Sequence, residues 1–261
     1  SGANSMITSG GGDVTVLGTG GGSGSSYGCF GVNVVSGSIT AGGMGLVAIT
    51  GLGGVGTGAV TGNRGINMST GALISSGGGD VSITGIEGGG SAGFGIGCSA
   101  PADISTLTNG GNISLKSNSI LISCAITSGS GDSVRISPLD DFPVYAGPAT
   151  DIIGGPLHLS DTELDSVFTD HLVIGSVAAG QVFINDTITR TSQTNVYLRS
   201  VEEVEIDGGY MNTSGGNLVL DPGTTSTGAY PDQVGTDAIV GSVSCTGKLH
   251  FVINGLVADT D

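Results

Sequence analysis

Short runs in which apolar and polar residues alternate recur along the whole chain. Val14 and Val16 flank Thr15, and the same order is repeated around Ser82, Arg135 and Glu205. A period of two places the aliphatic side chains on one face of a strand and the polar side chains on the other. The pattern therefore predicts many short β-strands with one buried face, beginning with residues 14–17, 32–35 and 38–40.

Two segments of the chain are near copies of each other. SGGGDVTVLG begins at Ser9 and SGGGDVSITG begins at Ser76, and weaker copies begin at Ala41 and Thr108. Val14, Val47, Val81 and Ile113 are the equivalent strand residues, and their numbers set the period of the repeat. Three short strands and three turns in each copy describe one coil of a three-sided solenoid. The sequence thus predicts an all-β fold, a right-handed parallel β-helix.

In the second half the copies diverge, but the strand pattern persists. Val182 and Val204 are equivalent in two successive copies, and so are Val196 and Leu218, with a shorter period than in the first half. This period fits a coil of three strands with shortened turns. We therefore expect regular coils with glycine-rich turns over 1–137, an irregular insert over 138–171, and coils with shorter turns over 172–261.

The expected insert contains the one helical signal in the chain. Ser160 and Glu163 have the spacing of a capping box, in which each side chain accepts a hydrogen bond from the other residue's backbone. Leu164, Val167 and Phe168 follow at helical spacing. The segment predicts one short helical turn near 160–168, placed against the strands or capping them.

Glycine is the most unusual part of the composition, with 52 residues against 7 prolines and no collagen period. Sharp corners need backbone conformations with positive φ, which glycine adopts without strain. The Gly-Gly-Gly-Asp runs at 10–13 and 77–80 predict one such repeated corner. A phosphate-binding loop is not indicated, because no Gly-Lys-Ser/Thr follows, and the spacing of the aspartate does not fit a calcium-binding nonapeptide repeat.

The charge excludes several partners. The formal net charge is −16, from 22 acidic and 6 basic residues. Nucleic acids and anionic membrane surfaces both need clustered lysine and arginine, so neither is expected. Every apolar run is too short to span a membrane, and no signal peptide precedes Ser1, where the chain opens within a repeat. The charge fits a solvated extracellular surface, and we expect a mature form or a fragment with its export signals lost or located elsewhere and with no insertion of this segment into a membrane.

The repeated units resemble those of giant bacterial haemagglutinin-like and autotransporter-like adhesins. Residues 159–188 look like the L-S-x-x-E-L-D…L-x-I-G module of filamentous-haemagglutinin-type proteins, and residues 247–261 look like a module found late in such chains. The resemblance implies a parallel β-helix, export, and a role in attachment or surface fibres, and it supplies no catalytic residues. We expect a structural or adhesive segment of a large secreted or surface-exposed bacterial protein.

Two alternatives and a set of partners accompany this expectation. The alternatives are a self-assembling extracellular fibre subunit that stacks end to end, and a polysaccharide lyase or hydrolase built on a β-helix. Expected partners are further copies of the chain through end-to-end or edge contacts, and glycans or cell surfaces. An ice-binding surface is not favoured, because no regular Thr-x-Thr ladder is present.

The enzyme alternative depends on clustered carboxylates with a basic partner. Acidic residues group at 140–141, at 161–170 and at 202–207, whereas the six lysines and arginines are scattered and the three histidines form no catalytic arrangement. We therefore expect no enzyme activity and no cofactor. Glu203, Glu205 and Asp207 are weak candidates for binding Ca²⁺, because alternate residues of a strand share a face.

The four cysteines, Cys29, Cys98, Cys124 and Cys245, form no CxxC pair, so a zinc site is not expected. Buried free thiols are favoured over a single bridge. Cys29 and Cys98 lie two coils apart, about 9.6 Å, which exceeds the limit of about 7 Å between bridged Cα atoms. Cys98 and Cys124 lie in successive coils and could meet.

Overall fold

The protein is all-β with one short helix. The computed structural model describes residues 5–56, 62–89, 93–106, 110–147, 155–206 and 209–222, and the backbone of two more strands at 249–253 and 256–260. The elements in chain order are β1 (Met6–Ser9), β2 (Val14–Thr19), β3 (Val32–Val35), β4 (Ser38–Ala41), β5 (Val47–Leu52), β6 (Ile66–Ser69), β7 (Leu73–Ser76), β8 (Val81–Ile86), β9 (Ile96–Thr106), β10 (Ile113–Lys116), β11 (Ile120–Thr127), β12 (Ser133–Ser137), β13 (Val144–Ala146), β14 (Leu157–Leu159), α1 (Asp161–Asp165), β15 (Val167–Phe168), β16 (His171–Gly175), β17 (Val182–Ile184), β18 (Thr187–Thr189), β19 (Asn195–Arg199), β20 (Val204–Ile206), β21 (Tyr210–Asn212), β22 (Leu218–Asp221), β23 (Leu249–Ile253) and β24 (Leu256–Thr260).

These strands form four sheets, named A to D. Sheet B has the order β2-β5-β8-β10-β12-β16-β19-β22-β23-β24. Sheet A contains β1-β4-β7-β9-β11-β15, and in addition β6 pairs with β9 and β3 pairs with β6. Sheet C has the order β14-β13-β17-β20, and sheet D pairs β18 with β21. Among the described strands every pair is parallel except β23 with β24. This stacking of parallel sheets is consistent with the predicted β-helix.

The predicted register is confirmed in sheet B. The chain leaves sheet B, adds strands to the other sheets and returns to the next position of sheet B; we call each such stretch a rung. The residues that open the rungs and share one register are Val14, Val47, Val81, Ile113, Val134, Leu172, Val196, Leu218 and Leu249. The rungs that begin at Val14, Val47 and Val81 are nearly equal in length, whereas the later ones vary and the rung that begins at Val134 is the longest of those up to Leu218. The division of the chain at residues 137 and 171 stays a prediction.

The core is a column of aliphatic side chains between the sheets. Val47, Val81 and Ile113 are fully buried, whereas Ser82 on the opposite face of its strand is half-exposed. Each buried aliphatic side chain contributes about 1.5–3 kcal/mol relative to an exposed one. The alternation seen in the sequence therefore separates a dry interior from a polar surface.

Several glycines lie where two backbones meet, which corrects the expectation that glycine mainly serves the corners. A Cβ on Gly51 of β5 would lie 2.2 Å from the carbonyl oxygen of Gly65, and one on Gly85 of β8 would lie 2.1 Å from that of Gly95. Gly18 of β2 faces Gly31 in the same way. These three glycines occupy one register of sheet B. At this register the backbone of a later segment of the same rung lies so close to sheet B that no side chain fits between them.

The two Gly-Gly-Gly-Asp runs do form corners, as predicted. They connect β1 to β2 and β7 to β8. Asp13 Oδ1 accepts a hydrogen bond from the backbone nitrogen of Leu46 at 2.8 Å, and Asp80 Oδ1 accepts one from that of Asn112 at 2.8 Å. Each aspartate therefore links its corner to the next rung.

Asn63 connects three rungs from a fully buried position. Its Oδ1 accepts a hydrogen bond from the backbone nitrogen of Cys29 at 3.0 Å. Its Nδ2 donates to the carbonyl oxygen of Gly89 at 2.6 Å and to that of Gly56. A single amide thus satisfies one buried and two half-buried backbone groups that the glycine-rich segments leave without a strand partner.

The helix is shorter than the predicted turn. The capping box is confirmed: Ser160 Oγ accepts from the backbone nitrogen of Glu163 at 3.3 Å, and Glu163 Oε2 accepts from that of Ser160 at 2.9 Å. Helix α1 ends at Asp165, and Val167 and Phe168 form β15 beside the end of β11. Their assignment to the helix was wrong, because strand pairing outweighs a short helical spacing.

The strands around the helix depart from chain order. β13 precedes β14 in the chain, but β14 contacts β11, and β13 lies between β14 and β17. Val134 of β12 nevertheless pairs with Leu172 of β16 in unbroken register. The additional strand and helix are therefore accommodated without interrupting sheet B.

Cys98 and Cys124 form a disulfide with Cα atoms 5.5 Å apart, which confirms that these two can meet. The favoured expectation of free thiols is wrong for this pair. The reason is that β9 and β11 are neighbours, with Cys98 opposite Ile122 and Cys124 at an irregularity in the pairing. Cys29 is a half-buried free thiol, and Cys245 lies outside the described residues.

Candidate functional site

One corner of the molecule is shorter than its neighbours, and a cleft results. Residues 128–132 connect β11 to β12, residues 190–194 connect β18 to β19, but only residues 169 and 170 connect β15 to β16. The short corner is recessed between the longer ones. We name the cleft, formed by segments 127–130, 168–171 and 192–195, the corner notch; its volume is about 650 Å³.

Hydroxyl groups fix the floor of the corner notch. Ser128 Oγ donates to Thr169 Oγ1 at 2.8 Å, and both residues are buried. Thr169 Oγ1 also contacts the carbonyl oxygens of Asp132 at 3.1 Å and His171 at 3.0 Å. These bonds connect two rungs beneath the cleft, so the floor is preformed.

An aromatic ring and a carboxylate line the corner notch side by side. Phe168 points away from the core because its neighbour Val167 points inward, and the Phe168 residue is 47% exposed. Asp170 is exposed, and its Oδ2 accepts from the backbone nitrogen of Gly131 at 2.8 Å and from Ser130 Oγ at 3.3 Å. Asp170 Oδ1 has no hydrogen bond within the described part of the chain.

Imidazole and amide groups complete the lining. His171 Nδ1 lies 3.4 Å from Asn195 Nδ2 and 3.5 Å from the Tyr197 hydroxyl, and its ring contacts the Tyr197 ring at 6.0 Å between centroids. Gln193 Nε2 donates to the carbonyl oxygen of Gly215 at 3.2 Å. Gln193 Oε1 keeps its acceptor capacity, and none of the described lysines and arginines lines the cleft.

The sequence pattern found only part of this site. The sequence groups Asp170 with the acidic residues at 161–170 and indicates no catalytic arrangement for His171. It does not connect Phe168, Gln193 or Asn195 with either residue. They come from separate rungs, so no local motif links them. The one signal in the sequence is the small number of residues between the strand ending at Phe168 and the strand beginning at His171.

The Ca²⁺ candidates do not come together as a group in the described residues. Glu203 Oε1 accepts a hydrogen bond from Gln181 Nε2, and half-buried Glu205 stands in register with Phe183 of the next strand. Asp207 lies outside the described residues. Over the described ranges, no three side chains of histidine, cysteine, aspartate or glutamate lie close enough to hold a metal ion. Weak Ca²⁺ binding stays a prediction.

Acidic residues of the second group bind backbone amides instead. Glu163 is buried, and its Oε1 accepts from the backbone nitrogen of Ile122 at 3.1 Å. Asp161 Oδ1 accepts from that of Thr189 at 2.7 Å. These carboxylates attach α1 to the strands of neighbouring rungs. Asp140 and Asp141, the first group, are exposed in the turn that follows β12.

Arg190 is a fully buried cation between α1 and β18. Its guanidinium donates to the carbonyl oxygens of Leu164 and Val167, at the end of α1. Burial lowers the pKa of Arg190, and the nearby carboxylates of Asp165 and Asp161 act in the opposite direction. The sequence pattern contained no sign of this role, because the neighbours of Arg190 in the chain are polar.

Three rings form a stack on the outer face of sheet C. The ring of Tyr145 lies 5.2 Å from that of His158 and 4.8 Å from that of Phe183, with interplanar angles of 14° and 11°. The stack follows from the register of β14, β13 and β17. Burial lowers the pKa of His158, and its Nε2 is buried without a hydrogen bond among the described residues.

The fold and the cleft therefore define an all-β protein of stacked parallel sheets with a polar, aromatic-edged surface site. No family model, curated protein or solved structure matches the chain. Within the described residues, no helix is both long and apolar enough to cross a membrane.

Proposed function

We propose that this chain is a stretch of right-handed, three-sided parallel β-helix from a large secreted or surface-exposed bacterial protein, and that its role is structural or adhesive. The observation that carries the proposal is the single parallel register of sheet B, from Val14 to Leu218. A stack of this kind is a rigid rod in which each rung supports its neighbours.

Surface chemistry supports a role outside the cell. The net charge of −16 favours a well-solvated surface, and the disulfide between Cys98 and Cys124 is typical of oxidising compartments. The resemblance of the repeats at Ser9 and Ser76 to those of haemagglutinin-like adhesins points the same way. Attachment through a polar surface is the activity that fits these features best.

The positions of the carboxylates support a role without catalysis. Asp13, Asp80, Asp161 and Glu163 each accept a backbone hydrogen bond from another rung. These carboxylates connect one rung to the next. A glycoside hydrolase uses two carboxyl groups that flank one cleft, whereas Asp170 is the only carboxylate of the described residues that lines the corner notch.

Bead attachment tests the adhesive role. Beads coated with the purified chain should bind mammalian or bacterial cells more strongly than beads coated with the same chain unfolded by heat and reduction. The same preparation should release no reducing ends from acidic polysaccharides. Equal binding by both kinds of bead would refute adhesion, and release of sugar would support the enzyme alternative.

Fibre formation is a second candidate, favoured by the first rung. Met6 is 64% exposed and Ile7 is 50% exposed, although Ile7 stands in register with buried Ile39. In the described part of the chain, β1, β2 and β3 each pair on one side only. A further rung, whether from the same protein or from another copy of the chain, would cover these edges.

Electron microscopy separates the two candidates. At increasing concentration, a fibre subunit forms filaments of uniform width and variable length, and Ile7→Lys shortens them. An adhesive segment stays as single short rods at all concentrations. Particles in which the strands pair as antiparallel hairpins would contradict the proposed architecture as a whole.

A further inference from the structure

We propose that the corner notch is a binding site for a neutral sugar, of one or two pyranose units at the exposed tip of a glycan. This inference rests on the adhesive role proposed above and names the class of ligand for it. It arises from four properties of the cleft: its size, its exposed ring, its unused acceptors and its charge.

The size and rigidity of the corner notch suit a small ligand. Its volume of about 650 Å³ is within the range of known ligand pockets, about 300–1,000 Å³. The bond between Ser128 and Thr169 and the bond from Gly131 to Asp170 fix the floor and one wall. A preformed cleft spares the ligand the entropy cost of ordering the protein.

Phe168 supplies a surface for the apolar face of a pyranose. Its neighbour Val167 is buried, so the alternation of β15 directs the Phe168 ring to solvent. The ring stands among polar groups and forms no aromatic pair in the described residues. Ligand pockets are lined by aromatic and apolar side chains together with a few placed polar groups, and Phe168 gives the corner notch this combination.

The polar groups of the corner notch that lack a partner in the described chain favour a ligand rich in hydroxyl donors. Asp170 Oδ1 and Gln193 Oε1 are acceptors without a protein partner in the described chain, and the Ser192 hydroxyl can either donate or accept. A ligand that covered them without donating hydrogen bonds would leave buried acceptors unsatisfied, which weakens binding. A sugar combines an apolar C–H face for Phe168 with hydroxyls for these acceptors.

The charge of the site favours neutral over acidic sugars. Asp170 is negative, no lysine or arginine of the described ranges lines the cleft, and the whole chain carries −16. A carboxylated or sulfated sugar would meet repulsion at short and long range. We therefore exclude uronic and sialic acids as ligands of this site.

Saturation-transfer NMR with five disaccharides tests the proposal: lactose, cellobiose, maltose, mannobiose and N,N′-diacetylchitobiose. At least one should bind the purified chain, with its ring protons saturated most strongly. Phe168→Ala and Gln193→Ala should each weaken that ligand about tenfold, as expected for loss of one stacking or hydrogen-bonding contact. Tyr27→Ala is the matched control, because Tyr27 is 65% exposed and lies far from the cleft in the chain.

A second variant tests the notch itself. Three residues inserted between Thr169 and Asp170 lengthen the short corner to five, which should fill the cleft and abolish binding. Circular dichroism and the melting temperature show whether each variant is folded, and Phe168→Ala decides the question if the insertion is not.

The outcomes are distinct. The proposal is overturned if none of the five sugars binds, if Phe168→Ala binds as the wild type does, if Tyr27→Ala loses binding equally, or if glucuronate or sialyllactose binds more tightly. Wild-type beads that attach to cells, while the wild-type chain binds none of the five sugars, would overturn the notch site and leave the adhesive role standing. Wild-type beads that do not attach to cells would refute the adhesive role itself.

Discussion

Replacement of glycine by alanine should affect stability differently at three kinds of position in this fold. Gly51 faces the backbone of the returning chain, Gly43 adopts a φ of +58° in an open corner, and Gly12 has neither constraint. If steric approach, backbone strain and chain freedom are the physical reasons for these glycines, then Gly51→Ala, Gly43→Ala and Gly12→Ala should differ in stability by large steps.

The magnitude for Gly51→Ala follows from its contacts. The new methyl carbon would lie 2.2 Å from the carbonyl oxygen of Gly65 and 2.7 Å from Cγ1 of Ile66, so the two layers must separate by about 1 Å. Overpacking usually costs about 1–3 kcal/mol, and a clash with backbone on both sides belongs at or above about 3 kcal/mol. For a chain of this size that corresponds to a fall in melting temperature of about 6–12 °C.

The two controls have smaller effects of known cause. At Gly43 the methyl carbon of an alanine would have no contact closer than 3.7 Å, so only the left-handed conformation is penalised, by about 1–2 kcal/mol. At Gly12 no atom lies within 4 Å of that carbon, and alanine should be neutral or stabilising by up to about 1 kcal/mol.

Differential scanning calorimetry of the three variants and the wild type is the assay. The expected order of melting temperatures, from highest to lowest, is Gly12→Ala, then Gly43→Ala, then Gly51→Ala. A Gly51→Ala protein that melts with the wild type would refute the close approach of the two layers. Equal losses at Gly51 and Gly12 would show that glycine is required only for flexibility.

Three further predictions concern the disulfide, the Asn63 amide and the ring stack on sheet C. Cys124→Ala should cost about 2–4 kcal/mol by releasing the loop closed with Cys98, and a reductant should lower the wild-type melting temperature to that of the variant but leave the variant unchanged. Asn63→Ala should cost at least about 1–3 kcal/mol in urea unfolding, the penalty for one unpaired buried group, because it leaves the buried carbonyl of Gly56 and the half-buried backbone groups of Cys29 and Gly89 without this partner; a cost below that of an exposed Asn33→Ala would contradict its role. His158→Phe should reduce a pH dependence: because the folded pKa of His158 lies below its unfolded value of about 6.5, its charging destabilises the wild type as pH drops below that value, so the melting temperature should fall less in the variant than in the wild type over the same range.

The stack could be predicted from the sequence where its signals are local. The alternation around Thr15 and Ser82 determines which side chains are buried, and the repeat spacing aligns Val14, Val47, Val81 and Ile113. Pairing of Val182 with Val204 could be predicted in the same way, even though the copies had diverged. Period two and a repeat length are sufficient for a register, because neighbouring rungs have matching interiors.

Other features depend on contacts that no local pattern records. Val144–Ala146 and Leu157–Leu159 are strands of three residues each, too short to show a period of two, and their reversed order in sheet C has no local signal in the sequence. The position of Phe168 in the sequence fits a helix as well as a strand. The pairing of β15 with β11 determines that Phe168 lies in a strand. The corner notch combines three rungs and exists because one corner is short, which is a comparison of lengths and not a motif.

The reversed order of β13 and β14 also bears on how such a chain can be altered by evolution or by engineering. Sheet B keeps its register between Val134 and Leu172 while an additional strand and a helix are accommodated beside it. A peptide epitope or reporter attached beside β14 or α1 would consequently leave the register of sheet B continuous. Proteins of this design can gain elements beside one sheet while the pairing of that sheet stays unchanged.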